Sequence, residues 1–255
     1  MKKTPAFDIS ELPPNDVLRA MYATEVTRDS EGRERKATSG LSRKHVIALY
    51  RMIHRHRPRR VLEIGLAYGY STLAILTALH ELGEGGRLIS VDPFQTRDWR
   101  NIGLENIRRS GLGTLHELIE KPSHLALPSL IELGQQQNFI FVDGNHAFEH
   151  AAIDLLLSDQ LLPVGGIIGF DNCGWLGVFH ALRVLRRLQR YEELDAGLAP
   201  DYRARNLLLS LARRIMGWRR ENRYFRRTRV EHDYGDGPSR GRWEWLRGPR
   251  SHHHG

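Results

Sequence analysis

The sequence predicts an α/β fold in which a doubly wound, mostly parallel sheet is covered by helices on both faces. Short apolar runs without alternation, such as residues 139–142 and 167–170, are typical of parallel strands buried on both faces. Segments of helical period separate these runs along the chain. Aspartates at positions 92, 143 and 171 directly follow three of the runs, which indicates a ligand site at the carboxyl edge of the sheet.

Length and composition indicate one domain with extensions. The 255 residues suffice for one α/β domain and a small appendage, and the net charge is +8 with arginines crowded late in the chain. Such arginines attract phosphates or acidic membranes, or form a solvated face or the rim of a pocket. We predict a lid or oligomer segment at 1–38, a core at 39–195, a basic extension at 196–250 that can hold the last strands, and a tail or expression remnant at 251–255.

Cysteine content and hydropathy indicate a cytoplasmic protein. The single cysteine, Cys173, excludes an internal disulfide and suits a reducing compartment. Polar sequence rather than an apolar stretch follows Lys2 and Lys3, so no signal peptide is predicted. No segment has the length of a membrane span.

The N-terminal elements are predicted from turn and cap residues. A short amphipathic helix is expected over residues 17–24, and a polar loop over residues 27–36. Ser39 and Ser42 are candidate caps for a longer helix with one apolar stripe, which ends at Pro58.

A strand, a glycine turn and a helix follow in residues 61–76, VLEIGLAYGYSTLAIL. A second strand over residues 88–91 ends at Asp92. This βαβ unit has glycines at its first turn and an acid at the end of its second strand, which is the arrangement of a nucleotide site.

The spacing of the glycines indicates which nucleotide fits. Gly65 and Gly69 form a G-x-x-x-G turn, which lacks the close-spaced pair that lets backbone approach a pyrophosphate. S-adenosylmethionine has an adenosine but no phosphates, so the looser turn suits it. Glu63 can then face the charged tail of the ligand, and Asp92 can accept both ribose hydroxyls. The glycines alone leave open a tight turn in some other α/β protein.

The middle of the chain continues the alternation of helices and strands. A helix is predicted over residues 95–111, a third strand over 115–119 and a further helix over 125–133. The loop at 120–124 would lie on the ligand edge, where adenine is expected.

The strand, helix and strand of residues 139–170 bring two acids to one edge of the sheet. Parallel strands joined by one crossover are often neighbours, so Asp143 and Asp171 would leave strands about 4.8 Å apart. Two converging carboxylates repel each other unless a proton or a hard divalent cation lies between them. Because Asn172 adds a third oxygen, we predict a cation site; the alternative is that Asp171 and Asn172 cap the next helix.

Other residues near these aspartates also have simpler interpretations. Asn145 can cap the helix after Asp143, which would leave His146 exposed on its first turn. His146 and His150 have the spacing of a zinc pair, but no cysteines or further histidines cluster nearby. Trp175 is, without a known ligand, more typical of a core than of a binding platform.

The C-terminal third is predicted in less detail. A helix over residues 178–188 and a strand over 191–194 are followed by late strands at 226–230 and 242–245. Residues 207–218, LLLSLARRIMGW, are amphipathic, and a helix packed on the domain is favoured over a membrane or nucleic-acid helix.

These motifs together resemble the class I S-adenosylmethionine-dependent methyltransferases, and within them the cation-dependent catechol and caffeoyl-CoA O-methyltransferases. VLEIGLAYGYST is similar to the first motif of the family, and SVDP to its second. GGIIGFDNCGWLG resembles the stretch in which members place Asp-Asn, then Trp and Gly. DPFQTRDW and DGNHAFEH also resemble bacterial methyltransferases that act on sugars and secondary metabolites. The resemblance covers residues 39–178.

The resemblance implies a Rossmann-like, seven-stranded sheet and a role for each matching residue. The cofactor would be lined by Glu63, Gly65, Tyr68, Gly69, Ser71, Asp92, Ser123 and Asp143. Asp143, Asp171 and Asn172 would hold Mg²⁺ or another divalent cation, and Trp175 would form a wall for the substrate. His146 stands where the family has a lysine general base, and with Asp143 it would carry the catalysis; a histidine accepts a proton at neutral pH without a lowered pKa.

The implied reaction is methyl transfer from S-adenosylmethionine to a hydroxyl of a small molecule, catechol-like or sugar-containing. The cation would orient the oxygen nucleophile and stabilise its charge. The resemblance also implies a homodimer. The alternatives are an RNA methyltransferase guided by the basic tail, although no interleaved aromatic platform is present, and a non-catalytic binding protein that retained the fold.

Overall fold

A seven-stranded, mostly parallel sheet organises the molecule. Within the described residues the strands are β1 (Val26–Arg28), β2 (Glu34–Lys36), β3 (Arg60–Ile64), β4 (Arg87–Val91), β5 (His116–Ile119), β6 (Phe139–Val142), β7 (Ile167–Phe170), β8 (Tyr191–Leu194) and β9 (Arg223–Arg227). The sheet has the order β5-β4-β3-β6-β7-β9-β8, and β9 runs antiparallel to both of its neighbours. This order confirms the predicted doubly wound sheet.

The computed structural model describes residues 11–37, 40–198 and 221–229. The predicted amphipathic segment at 207–218, the predicted strand at 242–245 and the tail at 251–255 lie outside these ranges. In the part of the chain that is described, no helix is long and apolar enough to cross a membrane.

Two layers of helices cover the sheet. The helices are α1 (Asp16–Thr24), α2 (Arg43–His56), α3 (Tyr70–Leu82), α4 (Ile102–Arg109), α5 (Ser123–Glu132), α6 (Phe148–Leu161) and α7 (Leu176–Leu188). On β6, Phe139 and Phe141 pack with α1, α2 and α3, whereas Ile140 and Val142 pack with α5, α6 and α7. Both faces of the strand are therefore buried, which explains its unbroken apolar run.

The N-terminal segment is fastened to the core through buried polar contacts. The side-chain amide of Asn15 donates to Thr77 Oγ1 of α3 at 3.0 Å, and its oxygen accepts the N–H of Leu18 at 3.0 Å. Farther along, Thr27 Oγ1 donates to the side chain of Asn106 on α4 at 2.9 Å. These contacts hold α1 and β1 over the layer that contains α3 and α4.

The predicted polar loop at residues 27–36 is instead the hairpin of β1 and β2. The buried Asp29 carboxylate accepts the backbone N–H groups of Glu31 and Arg33 at 3.1 and 2.9 Å. It also accepts from the side chain of Arg35 at 3.1 Å. One carboxylate therefore closes the turn, and a polar sequence forms a hairpin without an apolar pattern.

The predicted helix at 95–111 is shorter than expected, since α4 begins only at Ile102. Asp92 Oδ1 accepts the N–H of Phe94 at 2.8 Å, and Gln95 donates from its side chain to the carbonyl oxygen of Ala67 at 2.8 Å. These contacts hold the residues before Ile102 in turns rather than in a helix.

The end regions also differ slightly from the predictions. The last described strand, β9, begins at Arg223 rather than at residue 226. Ser42 occupies the N-cap position of α2 but makes no side-chain cap bond, and Ser39 lies outside the described residues.

A buried ion pair joins the C-terminal end of α6 to the strands β8 and β9. Asp159 of α6 accepts from Arg190 Nε at 3.0 Å and from the hydroxyl of Tyr191 at 2.6 Å, and its carboxylate also faces Arg227 of β9. Both Asp159 and Arg190 are buried.

We predict that Asp159→Ala lowers the free energy of unfolding by about 3–5 kcal/mol, because it leaves the Arg190 guanidinium buried without its carboxylate. Asp98→Ala, which breaks the exposed pair with Arg97, should cost less than about 1 kcal/mol. Urea titration of both variants measures the difference. Equal losses would show that the buried pair contributes no more to the free energy of unfolding than the exposed pair does.

Candidate active site

The glycine turn after β3 lies directly against the loop after β6. Gly65 has φ +96°, and a Cβ at this position would lie 2.1 Å from the backbone oxygen of Asp143. Only glycine tolerates both conditions. Asp92 Oδ2 holds the turn from the other side, because it accepts the backbone N–H groups of Leu66 and Ala67 at 3.0 and 2.8 Å.

Asp92 is predicted to accept both ribose hydroxyls, but its two carboxylate oxygens accept different numbers of hydrogen bonds within the protein. Oδ2 already accepts three N–H donors, from Leu66, Ala67 and, at 3.2 Å, the side chain of Gln95. From the described residues, Oδ1 accepts only the N–H of Phe94. A carboxylate oxygen has two lone-pair sites, so Oδ1 is the oxygen with room for a ligand hydroxyl.

A cavity of about 470 Å³ opens beside this turn at the carboxyl edge of β3, β4 and β6. Four predicted cofactor residues line it: Gly65, Asp92, Ser123 and Asp143. The aromatic side chains of Phe94 and Trp99 also line it, together with His150 and Asp154 of α6. The sequence analysis gave none of these four a role in binding the cofactor, although Phe94 and Trp99 belong to the DPFQTRDW motif.

The other predicted cofactor residues do not line this cavity. Gly69 and Ser71 lie at the start of α3, and Ser71 is buried. Tyr68 packs edge-on against Trp99, with ring centroids 5.1 Å apart, and so supports the cavity wall from behind.

Glu63 is enclosed in the protein rather than facing the cavity. It is fully buried, and its Oε2 accepts from the hydroxyls of Thr72 and Ser90, both at 2.7 Å. Burial raises its pKa to about 7, and the Asp92 carboxylate adds a smaller effect. Among the described residues its Oε1 has no hydrogen-bond partner, and the expected contact between Glu63 and a charged ligand tail stays a prediction.

A polar cluster forms where β7 ends. When the Asn172 amide is oriented to satisfy its neighbours, its nitrogen donates to Asp171 Oδ2 at 3.1 Å and to His146 Nε2 at 3.2 Å. Its oxygen then accepts from Trp175 Nε1 at 3.3 Å. The rings of His146 and Trp175 meet edge-on with centroids 4.8 Å apart. Four residues that the sequence analysis selected are thus in contact.

Electrostatic repulsion links this cluster to the end of β6. Strands β6 and β7 pair in parallel with Val142 opposite Phe170, so the acids that follow leave neighbouring strands. Burial raises the pKa of Asp143 well above its usual value, and the Asp171 and Glu63 carboxylates raise it further. A positive charge or a proton relieves this repulsion.

The capping interpretations are distinguished by the helix ends. The N-cap of α7 is Trp175, without a side-chain cap bond, so Asp171 and Asn172 do not cap that helix. Asn145 does accept the backbone N–H of Ala147 at 2.9 Å, just before α6. His146 precedes the helix, where it contacts Asn172 and Trp175.

The metal predictions remain predictions. Among the described residues, no group of three or more His, Cys, Asp or Glu side chains is arranged to hold a metal ion. The predicted site has two carboxylates and the amide of Asn172, which is a smaller acidic set. One histidine that the sequence analysis missed is nearby: buried His45 of α2 has Nδ1 4.0 Å from Asp171 Oδ1.

The sheet order, the glycine turn and the acid after β4 define a class I methyltransferase fold. Residues 62–173 match a protein family described as a methyltransferase domain. Caffeoyl-CoA O-methyltransferase 2 of Populus trichocarpa is 33% identical over 176 residues, which cover 62% of this chain and 67% of that protein. The chain therefore belongs to the S-adenosylmethionine-dependent O-methyltransferases that include the caffeoyl-CoA O-methyltransferases, as the resemblance implied.

Other relatives give the extent of the match. Caffeoyl-CoA O-methyltransferase 3 of Nicotiana tabacum is 35% identical over 57% of this chain, which spans 61% of that relative's length. A Podospora anserina methyltransferase with bound SAH superposes with a TM-score of 0.59 at 21% identity, over 84% of this chain and 88% of that one. An SAH complex of a Bacillus cereus O-methyltransferase gives 0.55 at 20% identity, over 76% and 85%. At these identities the two structures establish the fold.

We predict that the buried Glu63 makes stability depend on pH. Its pKa is raised from 4.5 to about 7 in the folded protein, so the folded state binds more protons than the unfolded state between these values. Stability is therefore highest below pH 4.5 for this group and falls by about 3 kcal/mol as the pH rises to about 7.

Urea titrations at several pH values measure this slope. Glu63→Gln should flatten the profile between pH 4.5 and 7, and the exposed Glu117→Gln on β5 should leave it unchanged. If the wild type and Glu63→Gln have the same slope, Glu63 is ionised in the folded protein throughout.

Proposed function

We propose that this protein transfers a methyl group from S-adenosylmethionine to a hydroxyl of a small molecule, with the help of a divalent cation. The observation that carries this proposal is the meeting of His146, Asp171 and Asn172 beside a cavity lined by Gly65 and Asp92. Family membership supports the same reaction class.

The cavity beside the glycine turn fits the adenosine part of the cofactor. Its volume of about 470 Å³ is within the range of small-molecule sites. Phe94 and Trp99 offer apolar surfaces for the base, and Asp92 Oδ1 can accept a ribose hydroxyl. Ser123 and His124, at the start of α5, provide polar groups at the edge where adenine was expected.

The donor set beside this cavity suits a hard divalent cation. Asp143, Asp171 and Asn172 offer carboxylate and amide oxygens, which such ions prefer. The repulsion that raises the pKa of Asp143 is relieved by a positive charge. Because the Asn172 nitrogen donates to Asp171, the amide has to flip before its oxygen can face an ion. When bound, the cation polarises and orients the acceptor oxygen.

His146 is suited to hold the proton that the acceptor hydroxyl loses. Burial lowers its pKa, so the ring is neutral at pH 7. Because its Nε2 accepts from Asn172, the ring proton is on Nδ1, and the Nε2 lone pair becomes free for a proton once the Asn172 amide flips to face an ion. A positioned general base of this kind contributes about 10²–10⁴ in rate.

The acceptor entrance is apolar. Trp175 is 56% exposed and Leu176 is 63% exposed, and both stand at the start of α7 next to His146. Such exposed aromatic and aliphatic surface favours an organic acceptor that covers it. We also propose that the protein is a homodimer, with the segment at 1–38 as its lid or its oligomer contact.

Two described arginines of the basic extension, Arg223 and Arg226, do not favour a nucleic-acid substrate. Arg223 pairs with Glu193 at 2.6 Å, and Arg226 pairs with Glu192 at 3.1 Å, across the β8 and β9 pairing. These cations stabilise the sheet edge and are already neutralised, whereas a phosphate-binding face needs unpaired ones.

We predict that the protein, loaded with S-adenosylhomocysteine, binds Mn²⁺ in solution. Asp171→Asn should weaken this binding at least about tenfold, because a carboxylate ligand is lost. Electron paramagnetic resonance of free Mn²⁺ measures it, and Asp98→Asn at an exposed surface pair is the matched control. A wild-type protein that leaves all Mn²⁺ free would remove the metal from the proposal.

Turnover tests the other residues. With catechol as the acceptor, chelation should stop methyl transfer and Mg²⁺ should restore it. His146→Asn should lower turnover by about 10²–10⁴ and leave the affinity for S-adenosylhomocysteine unchanged. Full rate in His146→Asn across neutral pH would show that another group takes the proton.

A further inference from the structure

A second cavity, of about 330 Å³, opens at the start of α3, where the glycine turn ends. It is enclosed by α1, the loop before α2 and the start of α3. Its lining includes Tyr22, Glu25, Lys36, Gly40, Arg43 and Tyr70. Nothing in the function proposed above uses this cavity.

The cavity carries an excess of positive charge. Within the described residues, neither Lys36 nor Arg43 forms an ion pair with a carboxylate. Arg43 donates from Nη2 to the backbone oxygen of Tyr22 at 2.8 Å, which fixes the guanidinium and leaves its other N–H groups for a ligand. Glu25 is the only acid in the lining.

Two aromatic rings make the walls rigid. The rings of Tyr22 and Tyr70 pack with centroids 4.8 Å apart, and the Tyr22 hydroxyl donates to the backbone oxygen of Leu41 at 2.7 Å. A Cβ at Gly40 would lie 2.3 Å from the Tyr70 ring, so a glycine is needed for the chain to pass there. The cavity is therefore formed before any ligand arrives.

The cavity adjoins the proposed methyl-transfer site. Tyr70 begins α3 immediately after Gly69, the last residue of the glycine turn. Burial and the nearby Tyr70 raise the pKa of Tyr22, and the Asp171 carboxylate raises it further, so Asp171 is within electrostatic range of the cavity wall. His45, two residues after Arg43, approaches the same carboxylate at 4.0 Å.

A charged group of the reactants still needs a partner. S-adenosylmethionine ends in an amino acid, whose carboxylate needs a cationic or N–H partner, a role that the acidic Glu63 cannot take. An acceptor can also carry an acidic group. In either case a carboxylate has to be stabilised close to the glycine turn, where Arg43 and Lys36 are the available cations.

We propose that this second cavity is a carboxylate-binding site of the methyl-transfer centre, with Arg43 and Lys36 as its cationic partners. The proposal rests on the function proposed above. The carboxylate belongs either to the amino-acid end of the cofactor or to the acceptor. In the first case, Glu25 would accept a hydrogen bond from the ammonium group of the same amino acid.

The first arm of the test compares S-adenosylhomocysteine with 5′-methylthioadenosine, which lacks the amino acid. Calorimetry gives the ratio of the two affinities for each variant. If the carboxylate is that of the cofactor, Lys36→Gln and Arg43→Gln should each weaken S-adenosylhomocysteine roughly tenfold, and 5′-methylthioadenosine should be unaffected.

The second arm uses protein loaded with S-adenosylhomocysteine and Mg²⁺, and compares 3,4-dihydroxybenzoate with catechol. If the carboxylate is that of the acceptor, the same variants should weaken 3,4-dihydroxybenzoate roughly tenfold relative to catechol. The affinity for S-adenosylhomocysteine should then equal that of the wild type.

Matched variants separate the lost charge from general damage. Arg51→Gln, on the exposed side of α2, removes a cation from the same helix and should change neither ratio. Arg43→Lys should recover most of the affinity that Arg43→Gln loses. Lys36→Gln carries the test even if Arg43→Gln does not fold, because the exposed Lys36 side chain forms no hydrogen bond or ion pair with the described residues.

The proposal is overturned if the wild type binds S-adenosylhomocysteine but neither ratio changes in Lys36→Gln and Arg43→Gln. In that result the methyltransferase function survives. If the wild type binds neither S-adenosylhomocysteine nor 5′-methylthioadenosine, the proposed function fails and the carboxylate site fails with it.

Discussion

The close approach of Gly65 to the backbone oxygen of Asp143 is the contact on which the site depends. With φ +96° and no room for a Cβ, this residue lets the turn after β3 lie against the loop after β6. Asp92 holds the same turn from the β4 side through two backbone N–H groups. Three neighbouring strands therefore end at one surface, and the cavity and the polar cluster both open from it.

The structure treats the acids at this edge in different ways, and the difference separates structural from reactive groups. Glu63 Oε2 accepts from two hydroxyls, and Asp92 accepts from N–H donors. At the ends of β6 and β7, by contrast, the Asp171 carboxylate adds to the effect of burial and raises the pKa of Asp143 further. A cation or a transferred proton relieves such repulsion between carboxylates.

The N-terminal segment forms one wall of the second cavity. Asn15 and Thr27 fix it to α3 and α4, and as a result Tyr22 and Arg43 stand over the start of α3. The basic extension behaves differently, because the pairing of β8 with β9 aligns Arg223 and Arg226 with glutamates. Net charge alone does not distinguish cations that pair with carboxylates in the sheet from cations that form no ion pair with a carboxylate.

The sequence by itself determined the parallel strands β3 to β7, their terminal acids and the glycine turn, because apolar runs, glycines and carboxylates at strand ends are local signals. The same signals predicted that Asp171, Asn172 and His146 lie at one edge of the sheet. Tertiary structure decided which side chains face a ligand. Glu63 turned inward because Thr72 and Ser90 offer hydroxyls there, and the second cavity exists only because α1 packs over α3. Such partners are distant in the chain, so no local pattern records them.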